Sequence, residues 1–443
     1  MTTALLVCTL VSTYYGLDVL FGASEVAYQE GVVAWFVYLR PYYLAILIAA
    51  LVIARRLRKF DFLSLPDIGA HFFGRGTQAL LAIASFLYAL PILAVMGLGM
   101  VLNLTLGIPF VWGVVIGAAV SVVYTVMGGL IADALTDTVQ FTLMCVTLGV
   151  AAWLTLDGIG GVEGLERRLP ETFFRPAGTY PVMVLVVFAG SALSALVEPA
   201  FYQRIFAAAN YRSVLTALLI GIVLWAAFDW VATILGMAAR AQGDDMEPRY
   251  ALLTLTLDVL PAGMKGLFVA GVVATAMSTI DSYLLIAGGN IAYDLYRPFT
   301  RRPLDDAHLL RLTRWMIVWS CVVAVLLALF FKTVVSAWIF MSTVLIAAGL
   351  VPILAGLYLP RSATPAAGVA ASATGLGVAI VHYALVHAFG AHDPEWATQI
   401  WTITVAGREV AVWQEYALLT ALPASAVAYA IGSVRTRVRR RAS

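Results

Sequence analysis

The stretch STYYGLDVLFGASEVAYQEG, residues 12–31, lies in the first apolar run of the chain, yet it carries three glycines, Gly16, Gly22 and Gly31, and two carboxylates, Asp18 and Glu25. Carboxylates on a lipid-spanning helix cost free energy and need a reason. Glycine lowers the cost of unwinding a helix. An unwound turn frees backbone carbonyls that can coordinate Na+ near the middle of a bilayer. Close packing against neighbouring helices accounts for the glycines equally well. Which reading holds depends on what surrounds the stretch.

The surroundings are apolar throughout. Of the 443 residues, 62% are hydrophobic and 12% charged, against roughly 45–50% and about 25% in a soluble domain. Too little polar surface remains to face water on all sides, so the chain belongs in a lipid bilayer. The net charge of +2 offers no basis for binding nucleic acid. Cys8, Cys145 and Cys321 all sit in apolar runs and form neither a C-x-x-C pair nor a disulfide framework. The first apolar run has no basic leader and no cleavage site, so we expect no signal peptide.

Runs long enough to cross about 30 Å of hydrocarbon recur along the chain. We expect twelve spans, at roughly 3–28, 33–54, 77–105, 110–127, 137–156, 181–205, 213–239, 263–293, 309–331, 333–358, 366–388 and 411–433. None alternates with the period of a membrane strand. With the N-terminus in the cytoplasm, eighteen of the 27 Lys and Arg residues fall on the cytoplasmic side, among them Arg55, Arg56, Arg58 and Lys59 and the tail arginines 435–441. This bias predicts a multi-pass protein of the cell membrane with both termini cytoplasmic. The segment 60–76, with Phe62, Leu65, Ile68, Phe72 and Phe73 near helical spacing, is expected to lie at the interface. The segments 157–180 and 389–409 read as solvated loops.

Three further places carry polar groups at membrane depth. In span 8, GVVATAMSTIDSYLLIAGGN (271–290), Thr275, Ser278, Thr279 and Ser282 form one hydroxyl stripe at i, i+3, i+4 and i+7. Asp281 lies one turn from Ser278, and such oxygen-only clusters suit hard cations. The alternative is hydroxyls bonded back to their own helix. Ser278 lies about 100° round the helix from Thr279 and about 60° from Asp281, so it can border two sites. Between spans 4 and 5, YTVMGGLIADALTDTVQF (124–141) has a turn at Gly128–Gly129 and carries Asp137 and Gln140 into span 5. Asp137 suits a cap at a helix N-terminus equally well. At the end of span 6, Glu198 and Pro199 break the helix, downstream of the small residues Gly190, Ser191 and Ser194. Spans 1–5 and 6–10 are thus two runs of five, each opening with an interrupted helix. That is the layout of an inverted repeat with a binding site at the repeat interface. The expected fold is an all-α polytopic membrane protein forming a single domain over 1–443. Its repeats cover about 3–157 and 180–358, and two peripheral helices fill 366–434.

These residues resemble the solute:sodium symporter family, whose fold is the five-plus-five leucine-transporter type. The resemblance rests on Y-T-x-x-G-G-L-x-A (124–132) with T-D-x-x-Q (136–140), on Y-Q-R-I-F-A-A (202–208), and on A-x-M-S-T-x-D-S near 274–282. It implies a main sodium site made by the carbonyls of Ser12, Tyr15 and Thr275 and the hydroxyls of Ser278 and Thr279. It implies a second cation site at Asp137, Ser278, Asp281 and Ser282. Solute contacts implied by the resemblance are Tyr14, Asp18, Tyr88, Ser191, Ser194 and Phe340. The chain departs from the family in lacking a helix before span 1. It also has Ser194 where sugar-transporting members carry an aromatic gate, which argues against sugar specificity.

No Walker A, kinase, hydrolase or zinc motif is present, and no nucleophile–base constellation appears, so an enzyme is not expected. Uphill transport would draw on an ion gradient. The expected function is sodium-coupled import of a small polar organic solute by alternating access, with Na+, the solute and the bilayer as partners. The competing function is a transport-inactive sensor on the same fold. Such sensors carry a fused signalling domain, and here only about ten residues follow span 12. An open channel is disfavoured by discontinuous helices.

Overall fold

The computed structural model describes residues 3–442 except 15, 128, 129, 244, 301–304, 395 and 406. The side chains of residues 4, 5, 8, 12, 13, 18, 124, 127, 130–138, 140, 141 and 435–442 lie outside that description. Among the described residues, ten helices are long and apolar enough to cross a membrane, from Ala34–Leu57 to Gln414–Val434. Spans 1 and 4 complete the expected twelve. Span 4 is the helix Phe110–Met127, and span 1 is two half-helices, Thr3–Tyr14 and Leu17–Glu30. The protein is a mostly helical polytopic membrane protein with a five-plus-five core and two added C-terminal helices.

Burial sorts the spans by position. Span 10 (Val334–Tyr358) is almost wholly enclosed, whereas span 9 (Asp306–Phe330) presents Trp315, Trp319, Val322 and Leu326 to the outside. Leucine gains little by leaving lipid for another leucine, so helix association in a bilayer depends on close fit. Small residues supply that fit. A Cβ on Gly236 of span 7 (Tyr211–Gln242) would meet the Ser24 carbonyl oxygen at 2.5 Å, on the second half-helix of span 1. A Cβ on Gly375 of span 11 (Pro365–Phe389) would meet the Ala347 oxygen of span 10 at 1.9 Å.

Two breaks organise the core. In span 1 the helix stops at Tyr14 and restarts at Leu17, with Gly16 extended at φ −83° and ψ 178°. Gly22 lies inside the second half-helix, and Gly31, at φ 68° and ψ −130°, ends it. In span 6, Val182–Ser191 tightens into a 3-10 turn over Ala192–Leu196, and a new helix runs Pro199–Ala207. Pro199 at the first helical position and Glu198 as its cap, accepting from the Ala200 amide at 3.2 Å, account for that restart.

The structure departs from the sequence reading in five places. The segment 157–180 is no solvated loop: it forms the helix Gly161–Arg168 and a 3-10 turn over Glu171–Phe174, with Leu165, Leu169 and Phe173 buried. The segment 389–409 is not an open loop: an antiparallel sheet forms from β1 (Ala391–Asp393), β2 (Thr398–Val405) and β3 (Arg408–Trp413), with Ile400 opposite Trp413. Span 12 accordingly starts later than residue 411, its α-helix beginning at Ala417. Span 5 starts earlier than expected, at Leu130. Span 3 is kinked, Arg75–Tyr88 and Ile92–Leu106 being joined through Pro91, which cannot donate to the helix ladder. The segment 60–76 does contain a helix, Leu65–Phe73, started by a reciprocal Ser64–Asp67 capping box. That helix packs its buried Leu65, Ile68 and Phe73 on spans 3, 10 and 11. The expected Gly128–Gly129 turn lies outside the described residues.

Candidate functional site

Span 8 (Ala262–Gly289, continued to Tyr296 by a π-helical turn) packs against the first half-helix of span 1 on one side and span 5 on another. Thr275, Ser278, Thr279, Asp281 and Ser282 are all buried. The Thr279 hydroxyl donates to the Thr275 carbonyl at 3.0 Å, which joins two of the expected sodium ligands to each other. A neutral bond of this kind is worth about 1 kcal/mol net. It uses the hydroxyl proton and leaves the oxygen lone pairs, which are what a cation needs. The Thr275 hydroxyl points the other way, to the Met144 Sδ of span 5 at 3.6 Å. Asp281 accepts a short hydrogen bond from Thr125 of span 4. Tyr15 and the side chains of Asp18 and Asp137 lie outside the described residues, so the structure does not place those three expected contacts; Ser12, expected to offer its carbonyl, lies in the last turn of the first half-helix, Thr3–Tyr14.

Span 8 also reaches the break in span 6. The Tyr283 hydroxyl, one turn beyond Thr279, donates to Glu198 Oε1 at 3.3 Å. Just downstream, Tyr202 donates back to the Leu196 carbonyl at 2.7 Å and covers an acceptor left by the broken turn. Ser191 and Ser194 are fully buried and donate to their own helix, to Phe188 O at 2.7 Å and Ser191 O at 2.8 Å.

Two cavities meet at Trp338 of span 10. The larger, about 430 Å³, lies between Tyr14 of span 1, Tyr38, Tyr42 and Tyr43 of span 2 (Ala34–Leu57), Trp225 and Asp229 of span 7, and Trp338. The smaller, about 290 Å³, is lined by Tyr88 and Pro91 at the kink of span 3, by Thr279 and Tyr283 of span 8, and by Trp338. Trp338 donates its indole N–H to the Tyr42 hydroxyl at 2.6 Å, and Tyr42 donates to the Ser191 hydroxyl at 3.0 Å. One chain of hydrogen bonds therefore ties span 10 to span 2 and to the upper part of span 6. Trp225 donates to the Val11 carbonyl at 3.4 Å, one turn before the span 1 break, and Tyr14 lies 5.2 Å from its ring.

Of the expected solute contacts, Tyr14 and Tyr88 thus line the two cavities, and Ser191 backs the first through Tyr42. Phe340 packs instead on Phe331 and Tyr383, at 5.4 and 4.8 Å. Sequence reasoning missed Trp338, Tyr42, Thr125 and Asp229. For Asp229 the signal was available, because it is a carboxylate in the middle of an expected span. For the others there was none, since aromatic and threonine side chains are ordinary in lipid.

A third cavity, about 350 Å³, lies under the sheet between Glu25, Glu415, Tyr180, Trp396 and Trp413. Glu415 accepts from Ser336 at 3.0 Å and Thr398 at 2.7 Å, while Glu25 accepts from the Val334 amide at 3.1 Å. Burial holds the Tyr180 phenol well above its ordinary range, with the carboxylates of Glu30, Glu25 and Glu415 adding to the effect. Its hydroxyl donates to Gln29 Oε1 at 3.1 Å.

A family model described as the sodium:solute symporter family matches residues 1–375. A high-affinity proline transporter of Bacillus subtilis is 28% identical over 239 residues, 52% of this chain and 50% of that protein. The human high affinity choline transporter 1 is 24% identical over 356 residues, 74% of this chain and 60% of that one. The chain therefore spans about half the length of the proline transporter and three fifths of the choline transporter. Among solved structures, an outward-open, substrate-bound Na+-coupled sialic acid symporter superposes with a TM-score of 0.74. That likeness covers 98% of this chain and 90% of the other at 16% identity, and it concerns the fold.

Proposed function

The chain belongs to the sodium:solute symporter family, and from that premise we propose that it is a sodium-coupled symporter that imports a small organic solute by alternating access. Sodium is the coupling ion. The main site takes Ser278 and Thr279 hydroxyls and the Thr275 carbonyl, with the carbonyls of Ser12 and Tyr15 at the span 1 break. A second site uses Asp137, Ser278, Asp281 and Ser282. Solute occupies the cavities that meet at Trp338. The observation that carries this reading is the position of Thr279: it is both a member of the buried hydroxyl stripe and part of the wall of the smaller cavity. A cation held at that stripe and a solute in the cavity would share one helix face, and their binding would be coupled through it.

The chain sits in the cell membrane with both termini cytoplasmic, and its repeats run from about 3 to 157 and from 180 to 358. Relatives named for proline, choline and sialic acid take a zwitterion, a cation and an anion.

Replacing Ser278 and Thr279 together by alanine tests the sodium assignment. We expect the sodium concentration needed for half-maximal uptake to rise severalfold or more, with the protein still folded. Unchanged sodium dependence in the double variant would remove both residues from the site.

A further inference from the structure

The wall of the larger cavity says more about its occupant than the family does. Tyr38 and Tyr42 stand four residues apart on one face of span 2, and Trp225 and Asp229 stand four apart on one face of span 7. With Tyr14 and Trp338 they form an almost wholly apolar wall with one buried carboxylate in it. Tyr43 donates a short hydrogen bond to Asp229 Oδ2, and Thr233 bonds the Asp229 backbone carbonyl at 2.7 Å. The acid is thus oriented by a neighbouring span. Among the described lining residues there is no Lys, Arg or His.

We propose that the larger cavity binds an organic monocation, an amine or quaternary ammonium, with its charge facing Asp229 and its carbon shell against the aromatic rings. This rests on the reading of the protein as a symporter and supplies the solute class. The chemistry excludes the other classes in turn. An anion would meet a carboxylate of its own sign in a low-dielectric wall, with no basic side chain there to offset it. A zwitterion would satisfy one end on Asp229 and leave its own carboxylate against tyrosine and tryptophan rings. A bare Na+ needs several oxygens at close range. An alkylammonium needs the opposite, a diffuse negative environment of ring faces plus one counter-charge.

The test is calorimetric titration of the full-length protein in lipid nanodiscs. The probes are trimethylethanolammonium, its uncharged carbon isostere dimethylbutanol, and the zwitterion trimethylglycine, each in sodium and in potassium buffer. We expect the cation to bind at least about tenfold more tightly than the isostere of the same shape. Asp229→Asn should weaken the cation about tenfold or more and leave the isostere unchanged, and Trp225→Leu should weaken the cation as well. Equal binding of cation and isostere, no binding of the cation, or wild-type affinity in Asp229→Asn overturns the proposal. If Asp229→Asn fails to fold, the comparison of cation and isostere on the wild-type protein decides. Sodium-dependent binding of the zwitterion in preference to the cation would sink the cation assignment and leave the symport reading standing. Cation binding of equal strength in sodium and potassium would do the reverse.

Discussion

Asp281 and Thr125 define the least obvious contact in the cation region. Thr125 also sits 2.8 Å from the Ser121 carbonyl, so one hydroxyl serves two acceptors and the carboxylate is held against span 4. If Asp281 ligates a second cation, Thr125 positions it. Removing a donor from a buried carboxylate costs roughly 1–3 kcal/mol. Thr125→Val should therefore shift sodium activation in the same direction as Asp281→Asn, with solute affinity largely kept. Initial uptake rates against sodium concentration and pH give the check. Wild-type cooperativity and pH profile in both variants would leave one sodium per cycle. At this scale the hydroxyl stripe was legible because 3.6-residue periodicity puts Thr275, Ser278, Thr279 and Ser282 on adjoining turns. Contacts across helices, such as Thr125 to Asp281 or Tyr283 to Glu198, were not legible, because no local pattern records which helices become neighbours.

At the scale of elements the two broken spans matter most, and both breaks follow from local chemistry. Gly16 carries the first in extended backbone, and Glu198–Pro199 carries the second. Gly31 ends the second half-helix at a backbone conformation only glycine adopts freely, where a Cβ would lie 2.1 Å from the Phe173 carbonyl oxygen. Gly31→Ala should cost on the order of 1–3 kcal/mol, and Gly236→Leu a comparable amount by forcing span 7 off span 1. Both appear as a lower Tm of the purified protein, and Gly236→Leu should also slow uptake. Wild-type melting in Gly236→Leu would mean that spans 1 and 7 are not packed as described. The breaks could be read from glycine, proline and buried acid. The sheet over the third cavity could not be read by counting apolar runs, although IWTITV–AG–REVAVW (400–413) alternates and turns at Gly407 as a hairpin does. Its last three residues, 411–413, are as apolar as the span 12 helix that follows them.

For the whole molecule, composition and twelve apolar runs were enough to identify a membrane bundle, and two interrupted helices five spans apart were enough to suggest its internal repeat. Orientation depends on the arginines and lysines around residues 55–76 and in the tail. In a cysteine-free background, single cysteines at Lys59, which is exposed, and at Ser443 should react with an impermeant maleimide only after the membrane is permeabilised. Labelling of either from outside intact cells would invert the topology. The central claim is coupling between sodium and solute, and it is tested most directly in proteoliposomes. Entry of radioactive sodium is followed with and without a pool of organic cations, zwitterions and anions outside. The account predicts that solute raises sodium entry, that a sodium gradient drives solute accumulation, and that Ser278→Ala with Thr279→Ala shifts both to severalfold higher sodium. Solute entry at full rate without sodium, or solute binding with no flux of either species, would contradict it.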